Sequence, residues 1–164
     1  MQHQLEVWSG GQTGVDRAAL DVAVELGLPI GGWVPRGRLA EDGFVPARYG
    51  PLREADSPHY ADRSRLNVEH TDATLVLRVG SAAGGTLATL EEARRLQRPT
   101  LDIDLGRYSP VEAADAVKSW LKDLFAARSS IRLNVAGPRA SQAPSAYALA
   151  QAALRLALNS YAAV

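Results

Sequence analysis

Residues 73–86 read Ala-Thr-Leu-Val-Leu-Arg-Val-Gly-Ser-Ala-Ala-Gly-Gly-Thr. Ala73 to Val79 is almost continuously apolar, as a strand covered on both faces of a parallel sheet must be. Gly80 breaks the strand. From Thr86 to Leu96 the apolar residues recur at helical spacing, and Pro99 follows. A buried strand, a glycine-rich turn and a helix in succession are half of a βαβ unit.

Toward the N-terminus, Leu5 to Trp8 is a second apolar run, ending at Ser9-Gly10-Gly11. From Gly14 a helical pattern places Val15, Ala18, Ala19, Val22, Ala23 and Leu26 on one face, and Gly27 and Pro29 stop it. Ile30 to Val34 is a strand candidate and Tyr60 to Val68 a short helix. Pro35 to Pro58, between them, is rich in Gly, Pro and Arg and has no period. That length without structure marks a functional or disordered loop. Toward the C-terminus, Thr100 to Ile103 is a short strand. Ser109-Pro110-Val111-Glu112 opens a helix that runs to about Arg128, with N-cap, first-turn Pro and capping box. Ile131 to Ala136 is the last strand, and a helix from about Ser141 to Tyr161 closes the chain. Its two apolar stripes, Tyr147, Leu154, Leu158 and Tyr161 against Leu149 and Leu156, fit either deep burial or self-association. This alternation predicts an α/β chain: one three-layer α/β/α Rossmann-like domain over residues 1–164, with a central, mostly parallel sheet of about five strands.

Composition narrows the function. Lys and Arg total 18 and Asp and Glu 18, so no global field attracts nucleic acid or a membrane surface. Cysteine is absent, which excludes disulfides, thiolate metal sites and a cysteine nucleophile. His3, His59 and His70 lack metal-ligand spacing, so no protein-ligated metal is expected. No signal peptide or membrane span is legible, and a cytoplasmic location is expected. The basic residues are nearly all arginine, and Arg36, Arg38, Arg48, Arg53, Arg63 and Arg65 cluster in one stretch. Arginine's planar fork suits oxyanions.

Two strand-to-helix loops carry the chemistry. The first is Ser9-Gly10-Gly11-Gln12-Thr13-Gly14, and the second is Gly80-Ser81-Ala82-Ala83-Gly84-Gly85-Thr86. Glycines allow close approach, and a helix N-terminus offers free N–H groups to an anion. Both loops should emerge at the carboxyl edge of a parallel sheet, where such folds bind ligands. Neither has the spacing of a dinucleotide fingerprint or a Walker A loop. The expected ligand contacts are Ser9, Gly10, Gly11, Gln12, Thr13, Gly14, Gly80, Ser81, Gly84, Gly85 and Thr86. Arg17 and Arg36 are oxyanion candidates, and Asn67 is a further polar contact. Residues 134–141 offer a third loop. Glu41-Asp42 is a paired-carboxylate site, a solvated pair, or a partner of Arg36 and Arg38. Gly11→Val is expected to abolish binding and to leave the domain folded. No catalytic residue is assigned.

Several blocks together resemble a known family: S-G-G-Q-T-G-V-D-R-A-A-L-D (9–21), G-G-W-V-P-R-G-R-x-A-E-D-G (31–43), R-x-x-x-N-V (63–68), D-A-T-L-V-L (72–77), G-G-T-L-A-T (84–89) and L-N-V-A-G-P-R-x-S (133–141). They look like the molybdenum carrier family, proteins similar to the molybdenum cofactor carrier and related in fold to LOG-type phosphoribohydrolases. The resemblance implies a carrier or store that binds molybdenum cofactor (molybdopterin) without catalysis. It implies a homo-oligomer, dimer or tetramer, with molybdoenzymes or cofactor-biosynthesis proteins as partners. The family's second block often has Cys before its Pro, where this chain has Val34. The LOG-type G-G-x-G-T-x-x-E places a Glu where this chain does not, since Glu91 and Glu92 fall past Thr89. The alternatives are a LOG-like nucleotide phosphoribohydrolase, drawing on Asp16, Arg17 or Glu41, and a nucleotide-binding sensor.

Overall fold

The computed structural model describes residues 2–163. Five strands form one parallel sheet: β1 (Gln4–Trp8), β2 (Ile30–Gly31), β7 (Ala73–Arg78), β8 (Thr100–Asp104) and β9 (Ser130–Ala136), in the order β2-β1-β9-β7-β8. Within β7 every residue but Arg78 is buried, which explains its unbroken apolar sequence. Leu5, Val7, Leu75, Leu77, Leu133 and Val135 project from alternate positions into one core. Helices α1 (Val15–Glu25), α4 (Pro110–Phe125) and α5 (Ala146–Leu158) cover that face. Helices α2 (Tyr60–Glu69) and α3 (Gly84–Arg95) pack together on the other. This is the expected three-layer α/β/α architecture. Right-handed crossovers require it: connections that run toward β2 lay their helices on one face, and those toward β8 on the other.

Counting strands along the chain, the order is 2-1-5-3-4. Numbering them cyclically from β9 turns it into 3-2-1-4-5, the doubly wound order. The last strand thus fills the central position that the first strand of that order would occupy. Both chain ends meet at the amino edge, where His3 stacks on Phe125 with centroids 4.4 Å apart and Phe125 stacks on Tyr161 at 5.4 Å.

Helix α3 starts two residues earlier than read and α4 ends three residues earlier, and the larger differences from the sequence reading lie elsewhere. The Ile30–Val34 strand is split at Gly32, which has φ +136° and packs against the backbone of Ser9 so closely that a side chain would collide. Beyond it, β3 (Trp33–Val34) leaves the sheet and pairs with β6 (Arg53–Glu54). The 35–58 segment is therefore not structureless. It carries the antiparallel pair β4 (Leu39–Ala40) and β5 (Gly43–Phe44), and Val34, Val45, Tyr49 and Leu52 bury a second small core against Leu20. The last helix begins at Ala146, five residues later than expected, because residues 139–145 fold as turns over the sheet edge. Its first stripe packs between α1 and α4, whereas in the second Leu149 is partly buried and Leu156 is 45% exposed. The α4 start is as read: Ser109 Oγ accepts from the Glu112 N–H and the Glu112 side chain accepts from the Ser109 N–H. Among the described residues, no helix is long and apolar enough to cross a membrane.

Candidate ligand site at the carboxyl edge

β1 leads away toward β2 and β7 leads away toward β8, so their loops part above β9. A cavity of about 250 Å³ lies in that gap, the switch point at which open α/β sheets take ligands. Both glycine-rich loops border it. From the expected set, Gly10, Gln12, Asn67, Gly85 and Thr86 line it. Tyr60, Arg63 and Ser64 enter from α2, and Asn134, Arg139 and Gln142 from the β9–α5 connection. Ser81 and Thr86 line a smaller neighbour of about 130 Å³, which also borders Gln142.

At the centre sits a buried ion pair. Arg63 Nη1 donates to Gly10 O at 2.5 Å and lies 3.4 Å from Asp16 Oδ2. Both side chains are less than a tenth exposed. Burial pushes the Asp16 carboxyl up to about 6, against the opposing pull of Arg63, the Gln12 amide and Arg17. Burial likewise lowers the Arg63 guanidinium, against the pull of Asp16. Of the six clustered arginines, Arg63 alone lines this cavity. Arg36 instead donates to Asp56 O on the exposed surface, and Arg17 clamps Asp42 with its guanidinium and Gly11 O with its Nε.

The two loops differ in what their amides do. In the first, the Gly11 N–H donates to Ser9 Oγ, Gln12 to Asp16 Oδ2, and Thr13 to Gln12 Oε1. The expectation that this turn presents bare amides is corrected: the chain's own side chains take them. Its glycines are explained by packing. A side chain on Gly10 would strike Arg63, one on Gly14 would strike Pro138 O, and one on Gly11, at φ +72°, would meet Val45 and Val34. Gly11→Val therefore strains the fold, contrary to the expectation that it spares it. Thr13 turns to Glu41 and Ala140. Ser9 is fully buried, with its hydroxyl on Asp16 O.

The second loop is open. Helix α3 starts at Gly84 behind the N-cap residue Ala83, which supplies no side-chain cap, and nothing lies within 4 Å of where a Gly85 side chain would begin. Gly84 has φ +52° and approaches Gln142. Thr86 and Thr89 are buried on the helix face turned to the cavity. Gly80 is held away: its N–H donates to Asp104 Oδ1 at 2.9 Å. Across the cavity Gln12 is 6% exposed, and its Nε2 is buried without a partner. Asn67 spends its amide on the Trp33 backbone, accepting at 2.8 Å and donating at 2.9 Å, which locks α2 to β3. Glu92 pairs with Arg95, and neither Glu91 nor Glu92 lines the cavity.

Sequence reasoning singled out Arg63 only within a cluster, weighed Asp16 chiefly as a helix-dipole residue, and did not select Asn134 as a contact. The one available signal was the Arg-x-x-x-Asn spacing of 63 and 67, which sets both on one helical face. Glu41 and Asp42 do not pair with Arg36 or Arg38. Glu41 reaches Thr13, Ser141 and Arg139, and Asp42 reaches Arg17.

A doubly wound sheet with its strands cyclically shifted, and a polar cavity at the switch point, define the class. The sequence matches the model of the circularly permutated YpsA SLOG family over residues 7–158, and the chain belongs to that family. It is also similar to a crystal structure from Syntrophus aciditrophicus described as a "putative molybdenum carrier protein", with 41% identity, a TM-score of 0.89 and 96% of each chain covered. No curated protein matches the chain.

Proposed function

We propose that the chain binds and carries the molybdenum cofactor without transforming it, holding the cofactor's terminal phosphate at the mouth of α3. The observation that carries this reading is the contrast between the loops: the α3 start lacks a side-chain acceptor and faces a buried arginine across the cavity. An anion is favoured there by the helix dipole and by Arg63. The pterin would meet the polar side chains of Ser64, Asn134 and Gln142, which also line the cavity. A cavity of about 250 Å³ beside one of about 130 Å³, with Thr86 and Gln142 lining both, suits an elongated ligand. The description of the Syntrophus aciditrophicus protein agrees with this cargo. The proposal includes a cytoplasmic homo-oligomer; Val24 of α1 and Leu156 of α5 are exposed apolar residues available for assembly.

The test is saturable binding of the cofactor, followed by pterin fluorescence and by transfer to a cofactor-free molybdoenzyme. Binding that Gly85→Val removes supports the reading. Absence of binding by the folded wild-type protein overturns it.

One observation favours a second reading, nucleotide hydrolysis of the LOG type. Asp16 places a carboxyl of pKa about 6 inside the cavity, the range of a general acid–base. Base release from a panel of nucleoside monophosphates, lost in Asp16→Asn, would establish that reading in place of the first.

A further inference from the structure

The hairpin β4–β5 puts Glu41 into a nest of donors contributed by segments far apart in sequence. Glu41 Oε1 accepts from the Thr13 hydroxyl and from the Ser141 N–H at 3.1 Å, and Oε2 accepts from the Ser141 hydroxyl at 2.5 Å. The Arg139 Nε lies 3.5 Å from Oε2 without making a hydrogen bond, and it is buried with no partner. The Gln12 side chain adjoins the same group: its Oε1 accepts from the Glu41 N–H at 2.9 Å and from the Thr13 N–H at 3.0 Å. Two backbone donors on that oxygen fix the orientation of the amide, so Nε2 is the orphaned atom. Gln12 and Arg139 both line the main cavity.

The carboxylate does not match every donor. The Thr13 and Ser141 hydroxyls, the Ser141 amide and the Arg139 guanidinium surround its two oxygens, and the Gln12 amide is tied beside them through the Glu41 and Thr13 N–H groups. Two buried donor nitrogens are left unmatched, each costing free energy that a larger acceptor would recover. A tetrahedral oxyanion has four oxygens and can satisfy them together.

The carrier of the carboxylate is weakly built. β4 and β5 are two residues each, and a hairpin of that size is not stable by itself. Its outer face shows Phe44 at 69% and Leu39 at 38% exposure, and it is tied down by the Glu41 side chain, by Asp42 on Arg17 and by the small Ala40 side chain in the second core.

We infer that Glu41 is an internal stand-in for a ligand anion: Thr13, Ser141, Arg139 and Gln12 form a second oxyanion site, distinct from the α3 mouth, which a phosphate or molybdate group enters by displacing the 39–44 hairpin. This deepens the carrier reading, because it gives a ligand with two anionic ends two separate anchors. It also makes the hairpin a latch, closed by Glu41 when the second anchor is empty and released when the ligand arrives.

The test uses inorganic phosphate and molybdate as probes, measured in parallel by equilibrium dialysis on the full chain. If the competing carboxylate keeps the site closed in all but a minor fraction of molecules, Glu41→Ala binds at least one ion about tenfold or more tighter than wild type. Which ion gains more tells a phosphate anchor from a molybdate anchor. Glu41→Gln, which keeps the side chain's size and loses its charge, gains in the same direction and guards against misfolding of the alanine variant. Adding Ser141→Ala removes the gain. Adding Gly85→Val removes anion binding at α3 but leaves the gain in place. Hydrogen exchange of residues 39–44 in wild type rises when the ion is bound. Equal affinity in wild type and both Glu41 variants overturns the inference, as does a gain that Gly85→Val abolishes and Ser141→Ala does not. In either of those cases cofactor transfer by the wild-type protein can still succeed, so the latch falls separately from the carrier.

Discussion

Arg63 and Asp16 form a buried pair whose partners cannot be removed singly without cost. Arg63→Ala leaves the Asp16 carboxylate buried and unpaired, and a loss of about 3–5 kcal/mol in urea unfolding is expected, with loss of oxyanion binding. Asp16 also imposes a pH dependence. Its pKa rises from 3.8 to about 6 on folding. Between about pH 4 and 6 the folded state thus keeps a proton that the unfolded state releases. This group makes stability fall as pH rises through that window, while carboxylates held below their usual range, such as Glu41, Asp42 and Asp104, act in the opposite sense; the wild-type stability curve minus that of Asp16→Asn should therefore fall between pH 4 and 6. Ligand binding follows the same proton. Below pH 6 Asp16 is neutral and the Arg63 charge is uncompensated, so affinity for sulfate, an oxyanion that does not itself titrate in this range, should rise on acidification from pH 7 to 5, as calorimetry would show. Unchanged affinity over that range would place the anion away from Arg63.

At the scale of elements, the two glycine-rich turns look alike in sequence and differ in structure. Gly85 sits in ordinary helical backbone with open space before it, whereas Gly11 is left-handed and packed against Val34 and Val45. Gly85→Ala should leave the melting temperature unchanged or slightly raised, by at most about 1 kcal/mol of helix propensity. Gly11→Ala should lower it, because the new side chain is strained and crowded. Equal effects at the two positions would show that the turns are not distinguished in this way. The turn type was legible in the sequence; its role was not. Glycine is required both where a ligand comes close and where the chain itself does, and local sequence does not separate the two. The same limit applies to Arg17 and Arg36, which match Arg63 in charge and reach but lie where Asp42 and the Asp56 carbonyl take their hydrogen bonds.

For the whole molecule, the cyclic strand order makes a prediction about connectivity. His3 and Tyr161 both stack on Phe125, so a short linker can join the two ends. The turn between α4 and β9 at residues 127–129 is exposed. A permutant opened there begins with β9 and has the regular 3-2-1-4-5 order. It should fold cooperatively, with a melting temperature within several degrees of the parent, and retain anion binding. A molten or insoluble product would mean that the native connection between α4 and β9 is needed for folding.

Local periodicity and turn chemistry by themselves determined the layers, the parallel sheet, the helix starts at Ser109 and near Gly14, and the sheet edge on which the two glycine-rich loops meet. Those features depend on neighbours within one or two turns of chain, so the residues report them directly. Tertiary structure alone decided which strand lies in the middle, how the 35–58 segment buries its own core, and which arginine reaches the cavity. It also decided that Glu41 meets Ser141, 100 residues away. These depend on pairings across the sheet and between loops, where a residue's partner is set by packing and not by its neighbours in sequence.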